Sequence, residues 1–239
     1  MKRLKIAFGL AVVAGLMVIT AAPAMAANAR WEQCKKVITA KTGNWKNALC
    51  SEGQKEGEWL TMEVTETEEV TSSGEGELED QKATGGASAF KCNGTGVGWI
   101  GTGGNGGVSQ VSQKSCTRLS GLCEVGKPVT IRAVNLPWFG KLEIREGKIR
   151  GVNQTGGTGV GYKVECTVGG IFKVADECTQ TKISGAVSNG SNGNVQGTFD
   201  KISEEEKGNC TLGGANSGVV RGTGSMQQRK EVATYANIR

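Results

Sequence analysis

Hydrophobic positions in this chain come in short runs that mostly alternate with polar ones, and helical periodicity is scarce. The runs are rich in Val, Ile, Thr and Gly and are cut by turn residues, which predicts strands. Candidate strands are 58–71, 88–100, 107–115, 128–135, 139–146, 148–154, 159–168, 171–175, 179–187, 194–202 and 217–228. The clearest hairpin pairs 141–145 with 148–152. There Leu142 and Ile144 alternate with Lys141, Glu143 and Arg145, Glu146-Gly147 forms the turn, and Ile149 and Val152 return. Asn-Gly pairs begin at Asn93, Asn105, Asn189 and Asn192, and both residue types tolerate the positive φ of tight turns. The run 185–197 reads as an exposed hairpin tip or a mobile loop. The fold class predicted is all-β: a Gly-rich antiparallel sandwich or barrel with a small disulfide-linked N-terminal element.

The first 26 residues break this pattern. Lys2, Arg3 and Lys5 precede an apolar run over 6–20, and Ala24-Met25-Ala26 has the small residues of a cleavage site. This predicts a signal peptide over 1–26 and a mature chain from Ala27. No second long apolar run follows, so no membrane span is expected in the mature chain. The polar stretch 72–87 reads as a loop or linker between the N-terminal element, 27–71, and a β-domain, 88–239.

Cysteine changes the picture most. The chain has eight, Cys34, Cys50, Cys92, Cys116, Cys123, Cys166, Cys178 and Cys210, all after the signal, and it has no histidine. An even number in an exported chain reads as a disulfide framework. Nearest-neighbour pairing predicts Cys34–Cys50, Cys116–Cys123 and Cys166–Cys178, with Cys92–Cys210 joining distant strands. None of the spacings is that of a zinc knuckle, and the missing histidine removes Ser-His-Asp triads, Cys-His pairs and His-ligated metals. No cofactor is expected.

Charge adds little. The net +5 includes Lys2, Arg3 and Lys5 of the signal, and no basic stripe with interleaved aromatics points to nucleic acid. Residues 56–80 carry ten acids and no Lys or Arg, which predicts a solvated strand face followed by an acidic loop. Glycine is densest over 94–107, where Gly-x-Gly spacings mimic a phosphate loop. No helix pattern follows, so bulges and close backbone approach in a twisted sheet or barrel are expected instead. Ser88-Ala-Phe-Lys91 and Lys41-Thr-Gly43 match fragments of penicillin-recognising enzymes, but in the wrong order and on a β-like run.

Two kinds of residue could carry function. Glu143, Glu165 and Asp176 are the acids on or near predicted strands that a carboxylate-pair hydrolase would draw on. Five of the aromatics are Trp, and Trp faces stack on sugars or fill partner pockets. Trp45 and Trp59 are expected to pack on a disulfide, which leaves Trp99 and Trp138 as the ligand-binding candidates. The expectation is a secreted, non-enzymatic protein with a binding or structural role. Its partner would be a cell-wall or extracellular polysaccharide or a surface protein. The alternatives are a carbohydrate-binding module using surface Trp and a secreted carboxylate-dependent hydrolase.

Cys34-Lys-Lys-Val, Gly43-Asn-Trp45, Cys50 and Gly57-Glu-Trp59 resemble a motif of exported, disulfide-containing, β-rich proteins of soil actinobacteria, an uncharacterised family. Leu136-Pro-Trp138 with Leu142, Gly161-Tyr-x-Val164-x-Cys166 and Asp176-x-Cys178 resemble further segments of those proteins. The resemblance covers about half of the mature chain. It implies an exported β-fold and a Gram-positive source, and it carries over no activity and no catalytic residues.

Overall fold

The structure is a computed structural model that describes residues 28–39, 41–154, 159–199, 206–228 and 232–238. The expected signal peptide lies outside the described residues. The strands are β1 (Ala29–Lys36), β2 (Gly43–Trp45), β3 (Gly53–Gly57), β4 (Trp59–Glu63), β5 (Glu68–Asp80), β6 (Ser88–Ile100), β7 (Asn105–Ser120), β8 (Thr130–Val134) and β9 (Trp138–Arg145). They continue as β10 (Lys148–Gln154), β11 (Val160–Val168), β12 (Phe172–Gln180), β13 (Lys182–Asn189), β14 (Val195–Phe199), β15 (Gly208–Cys210), β16 (Gly214–Gln228) and β17 (Thr234–Ile238). The chain is all-β, and its two sheets are antiparallel.

The larger sheet closes on itself. Its order begins β14-β13-β10-β9-β7-β6-β5-β16, and β16 pairs back onto β14 from Val195↔Met226 to Phe199↔Gly222. These eight strands form a barrel. Four of them, β5, β6, β7 and β16, are longer than the rest and run on past its rim. There β16 continues through β15, β12 and β11 to β8. This extension encloses a second core of Leu78, Phe90, Ile131, Tyr162 and Val164 with three of the disulfides.

The smaller sheet, in the order β17-β1-β4-β2-β3, caps the other end of the barrel. The C-terminal strand β17 pairs with β1, so the N-terminal element and the end of the chain share one sheet. Trp31 of β1 is 8% exposed and packs with Val70, Ile100, Leu142 and Val195, which lie at that end of the barrel wall. Its indole Nε1 donates to the carbonyl of Asn105 at 2.9 Å. Buried Gln33 and Gln228 bridge cap and wall, as do Asn189 and Ala236 through two hydrogen bonds.

The expected hairpin is present, with Lys148↔Arg145 closing it and Glu146 and Gly147 at φ 51° and 71° in a mirror-image turn. The run 185–197 is the β13–β14 hairpin. Its tip packs against the cap, where Gly193 lies beside Ala233. Residues 72–80 of the expected loop or linker are strand. They form most of β5, and three of the acids of the supposed loop stand on its outer face, Glu75 paired with Lys91 and Glu77 and Glu79 with Arg221, while Asp80 is buried on the other face.

The disulfides are Cys34–Cys50, Cys92–Cys116, Cys123–Cys166 and Cys178–Cys210, with no free thiol. Only the first matches nearest-neighbour pairing, and Trp45 and Trp59 pack on it as expected. The expected pairs Cys116–Cys123, Cys166–Cys178 and Cys92–Cys210 do not form, because sheet register sets the partners. Cys178 faces Cys210 directly across β12 and β15. Cys92 on β6 lies beside Cys116 on β7, at a break in their register.

Candidate functional site

Register carries one face of every barrel strand into the lumen. On β5 that face is Val70, Ser72, Gly74, Gly76 and Leu78. Opposite them stand Gly98, Gly96, Gly94, Cys92 and Phe90 on β6, and Gln228, Met226, Gly224, Gly222 and Val220 on β16. The same face continues as Gly106 and Val108 on β7, Trp138, Gly140 and Leu142 on β9, and Gly151 and Asn153 on β10. Gly185 and Val187 on β13 and Val195, Gly197 and Phe199 on β14 complete the ring. The middle of the wall is therefore glycine on strand after strand, with bulky apolar side chains toward the ends.

An eight-stranded barrel is just wide enough for its side chains to fill it or to hold one small ligand. Here the side chains are missing, and a cavity of ≈ 360 Å³ remains, bordered by Gly76, Gly96, Gly197, Trp138, Val195 and Phe199 among others. That is within the usual size of small-molecule sites, roughly 300–1,000 Å³.

The glycines have two separate causes. At some, neighbouring backbone leaves no room: a Cβ on Gly98 would lie 2.1 Å from the Gly107 carbonyl oxygen, and one on Gly74 2.4 Å from that of Thr223. These permit the tight coiling of the wall. At others a Cβ would make only ordinary contact. The nearest atom to a Cβ is 3.4 Å away at Gly76 and 3.7 Å at Gly197. Close packing does not demand glycine there, and its effect is to keep the lumen empty.

The lumen is chemically plain. Ser72, Asn153 and, past a bulge in β7, Gln113 are polar groups on its face; the Ser72 hydroxyl lies across Gly96 and the Asn153 carboxamide across Gly140. Around the cavity, register places no Asp, Glu, Lys or Arg side chain of the described residues on that face; Glu68 and Asp80 share it only at the two ends of β5, and Arg118 only opposite Phe90 in the second core. The outer wall reverses the pattern with Thr71, Ser73, Glu75, Lys91, Thr95 and Arg221, a polar surface suited to water. Barrels that cross bilayers carry the opposite alternation, apolar out and polar in.

The two ligand candidates from the sequence lie on opposite faces of this wall. Trp138 lines the lumen, with its Nε1 donating to the Val134 carbonyl at 2.8 Å. Trp99 is on the outside, over Gly107, and meets Phe139 edge-on with ring centroids 5.7 Å apart. Phe139 is 57% exposed. Sequence reasoning missed Trp31 as the stopper of the barrel. It also missed the lumen, whose signal was glycine at every second position in Gly74-x-Gly76, Gly94-x-Gly96-x-Gly98 and Gly222-x-Gly224.

The three candidate carboxylates do not converge. Glu143 is paired with Arg145, and Glu165 with Arg132 and Lys163, both at the surface. Asp176 is opposite Val164, which puts it and Glu165 on different faces of the β11–β12 ribbon. Asp176 instead lies beside Asp80 in the second core. The Leu212 N–H donates to its Oδ1 at 3.1 Å, and burial, with the Asp80 charge adding, raises its pKa from 3.8 to about 6. Tyr162 donates to the Glu79 carbonyl nearby, and burial pushes its hydroxyl well above the ordinary range. Asp176, Cys178 and Cys210 lie close enough to suggest a metal site, but both sulfurs are committed to their disulfide. Ser88 and Lys91 of the enzyme-like fragment point to opposite faces of β6, and Lys91 is paired with Glu75.

No protein-family model, curated protein or solved structure matches this chain.

Proposed function

We propose that this is an exported, non-enzymatic binding protein whose barrel holds one small, uncharged, largely apolar molecule in its lumen. The observation that carries the reading is glycine at lumen positions where a Cβ has room, Gly76 and Gly197. The uncharged lining sets the ligand class, because a buried charge without a partner is strongly disfavoured. Export is supported by the leader-like pattern of 1–26 and by four disulfides, which persist in oxidising compartments. The test is titration with a neutral fluorophore, N-phenyl-1-naphthylamine, against the parent and against Gly76→Val and Gly197→Val, with folding checked by circular dichroism. Filling the lumen is expected to weaken binding by about tenfold or more, the scale of losing one or two buried apolar contacts. A parent that binds no neutral apolar probe, or folded variants that bind as well as the parent, would overturn the proposal.

The outer aromatic pair supports a second reading, glycan stacking on Phe139 and Trp99. It predicts retention on insoluble polysaccharides that falls in Phe139→Ala. Equal retention of parent and variant on every polysaccharide would remove it.

A further inference from the structure

Apart from Ile38, just after β1, the most exposed large apolar side chains gather at one place. Val125 is 77% exposed, Ile171 76% and Phe172 65%. Val125 belongs to the loop after β7, Ile171 to the β11–β12 turn, and Phe172 opens β12. The Cys123–Cys166 disulfide joins these two segments. The Glu124 N–H donates to the Thr167 carbonyl at 3.0 Å, and the Gly170 N–H donates to Glu124 Oε2 at 2.9 Å. Gly169 and Gly170, at φ 59° and 78°, make the turn tight. The two turns are thus held together as one tip, and its apolar side chains have no route to collapse inward.

Register puts this tip at the end away from the cap. Cys178 on β12 stands level with Cys210 on β15, and Cys210 with Gly214 at the start of β16. Strand β12 runs in the direction of β16, so the residues from Cys178 back to Phe172 extend beyond the end of the long strands.

The charges beside the apex are Lys127 and Lys173, both exposed, and Glu124, whose carboxylate accepts from Gly170. We infer that this tip docks on an anionic lipid surface, with Val125, Ile171 and Phe172 entering the interface and Lys127 and Lys173 meeting the headgroups. A projecting apolar apex with cations set one step back fits the boundary between acyl chains and anionic headgroups. Contiguous exposed apolar side chains on a folded protein mark such contacts. The inference does not depend on what the lumen holds.

The experiment is co-sedimentation of the oxidised mature chain with vesicles of phosphatidylcholine alone or with about one-quarter phosphatidylglycerol. Binding is expected on the anionic vesicles and is expected to weaken as salt rises. The double variant Ile171→Ser/Phe172→Ser should lose about tenfold or more of it, and Lys127→Gln/Lys173→Gln roughly tenfold. These positions are exposed, so the variants should fold, which thermal melts check. Gly197→Val should bind vesicles like the parent, which separates this site from the lumen. No sedimentation with either vesicle, or undiminished binding by the apolar double variant, would overturn the inference. So would self-association through the tip, seen as a dimer lost in that variant without any vesicle binding.

Discussion

Replacing Asp176 by Asn should make the protein more stable at neutral pH and leave it nearly unchanged in mild acid. The Asp176 carboxyl has a pKa of about 6 in the folded chain against 3.8 ordinarily, first because it is buried and then because Asp80 adds a like charge. The folded state therefore holds this proton more tightly than the unfolded state. Its contribution is fully present below the ordinary value and is lost as pH rises through about 6. Two pK units correspond to roughly 3 kcal/mol, and partial access to solvent reduces this to about 1–2 kcal/mol. Asp80 Oδ2 is buried with no hydrogen-bond donor among the described residues, and a protonated Asp176 beside it can supply one. Asn supplies that donor at every pH and keeps an oxygen for the Leu212 N–H. Urea unfolding with the disulfides intact, at pH 4 and pH 7.5, measures the difference. Asp176→Asn is expected to gain about 1–2 kcal/mol at pH 7.5 and about nothing at pH 4. A difference that is the same at both pH values, or a variant less stable at pH 7.5, refutes the reasoning.

Three further outcomes follow from the wall, the cap and the disulfides. Gly98→Ala should destabilise by about 2 kcal/mol or prevent folding, since its Cβ would lie 2.1 Å from a backbone oxygen, whereas Gly76→Ala should be neutral or slightly stabilising; chemical unfolding of both checks this. Trp31→Ala should cost roughly 3–5 kcal/mol and speed the release of a lumen-bound probe, measured by urea unfolding and stopped-flow displacement. Removing Cys123–Cys166 by a double Ser substitution should cost about 4 kcal/mol in the chain-entropy model for a separation of 43 residues, and equal midpoints for parent and variant would contradict that.

Local patterns could be read from the sequence, and pairings between distant segments could not. The hairpin around Glu146-Gly147 was legible because alternation and turn chemistry agree over a dozen residues. Strand β5 was read partly as a linker because its lumen face over 72–76 is Ser, Gly and Gly, so the usual mark of a strand, apolar residues at every second position, is absent where the lumen is empty. Strand β17 is short and has its partner, β1, at the far end of the chain, which no local window registers. Three of the four expected cysteine pairs failed for the same reason: adjacency in the sheet, not separation in sequence, brings Cys92 to Cys116 and Cys178 to Cys210. Trp99 and Trp138 were singled out alike because composition says nothing of which side of a wall a residue faces. The pleat decides that: Trp99 pairs with Gly107, and Trp138 with the next residue of β7, Val108.

The most direct measurement is methyl NMR of the oxidised protein with N-phenyl-1-naphthylamine bound. Contacts from probe protons to the methyls of Val70, Leu142, Val187 and Val195, which face the lumen, are the predicted result. Contacts only to the methyls of Val125 and Ile171 at the exposed tip, or to none, would contradict the claim that the barrel is the binding site.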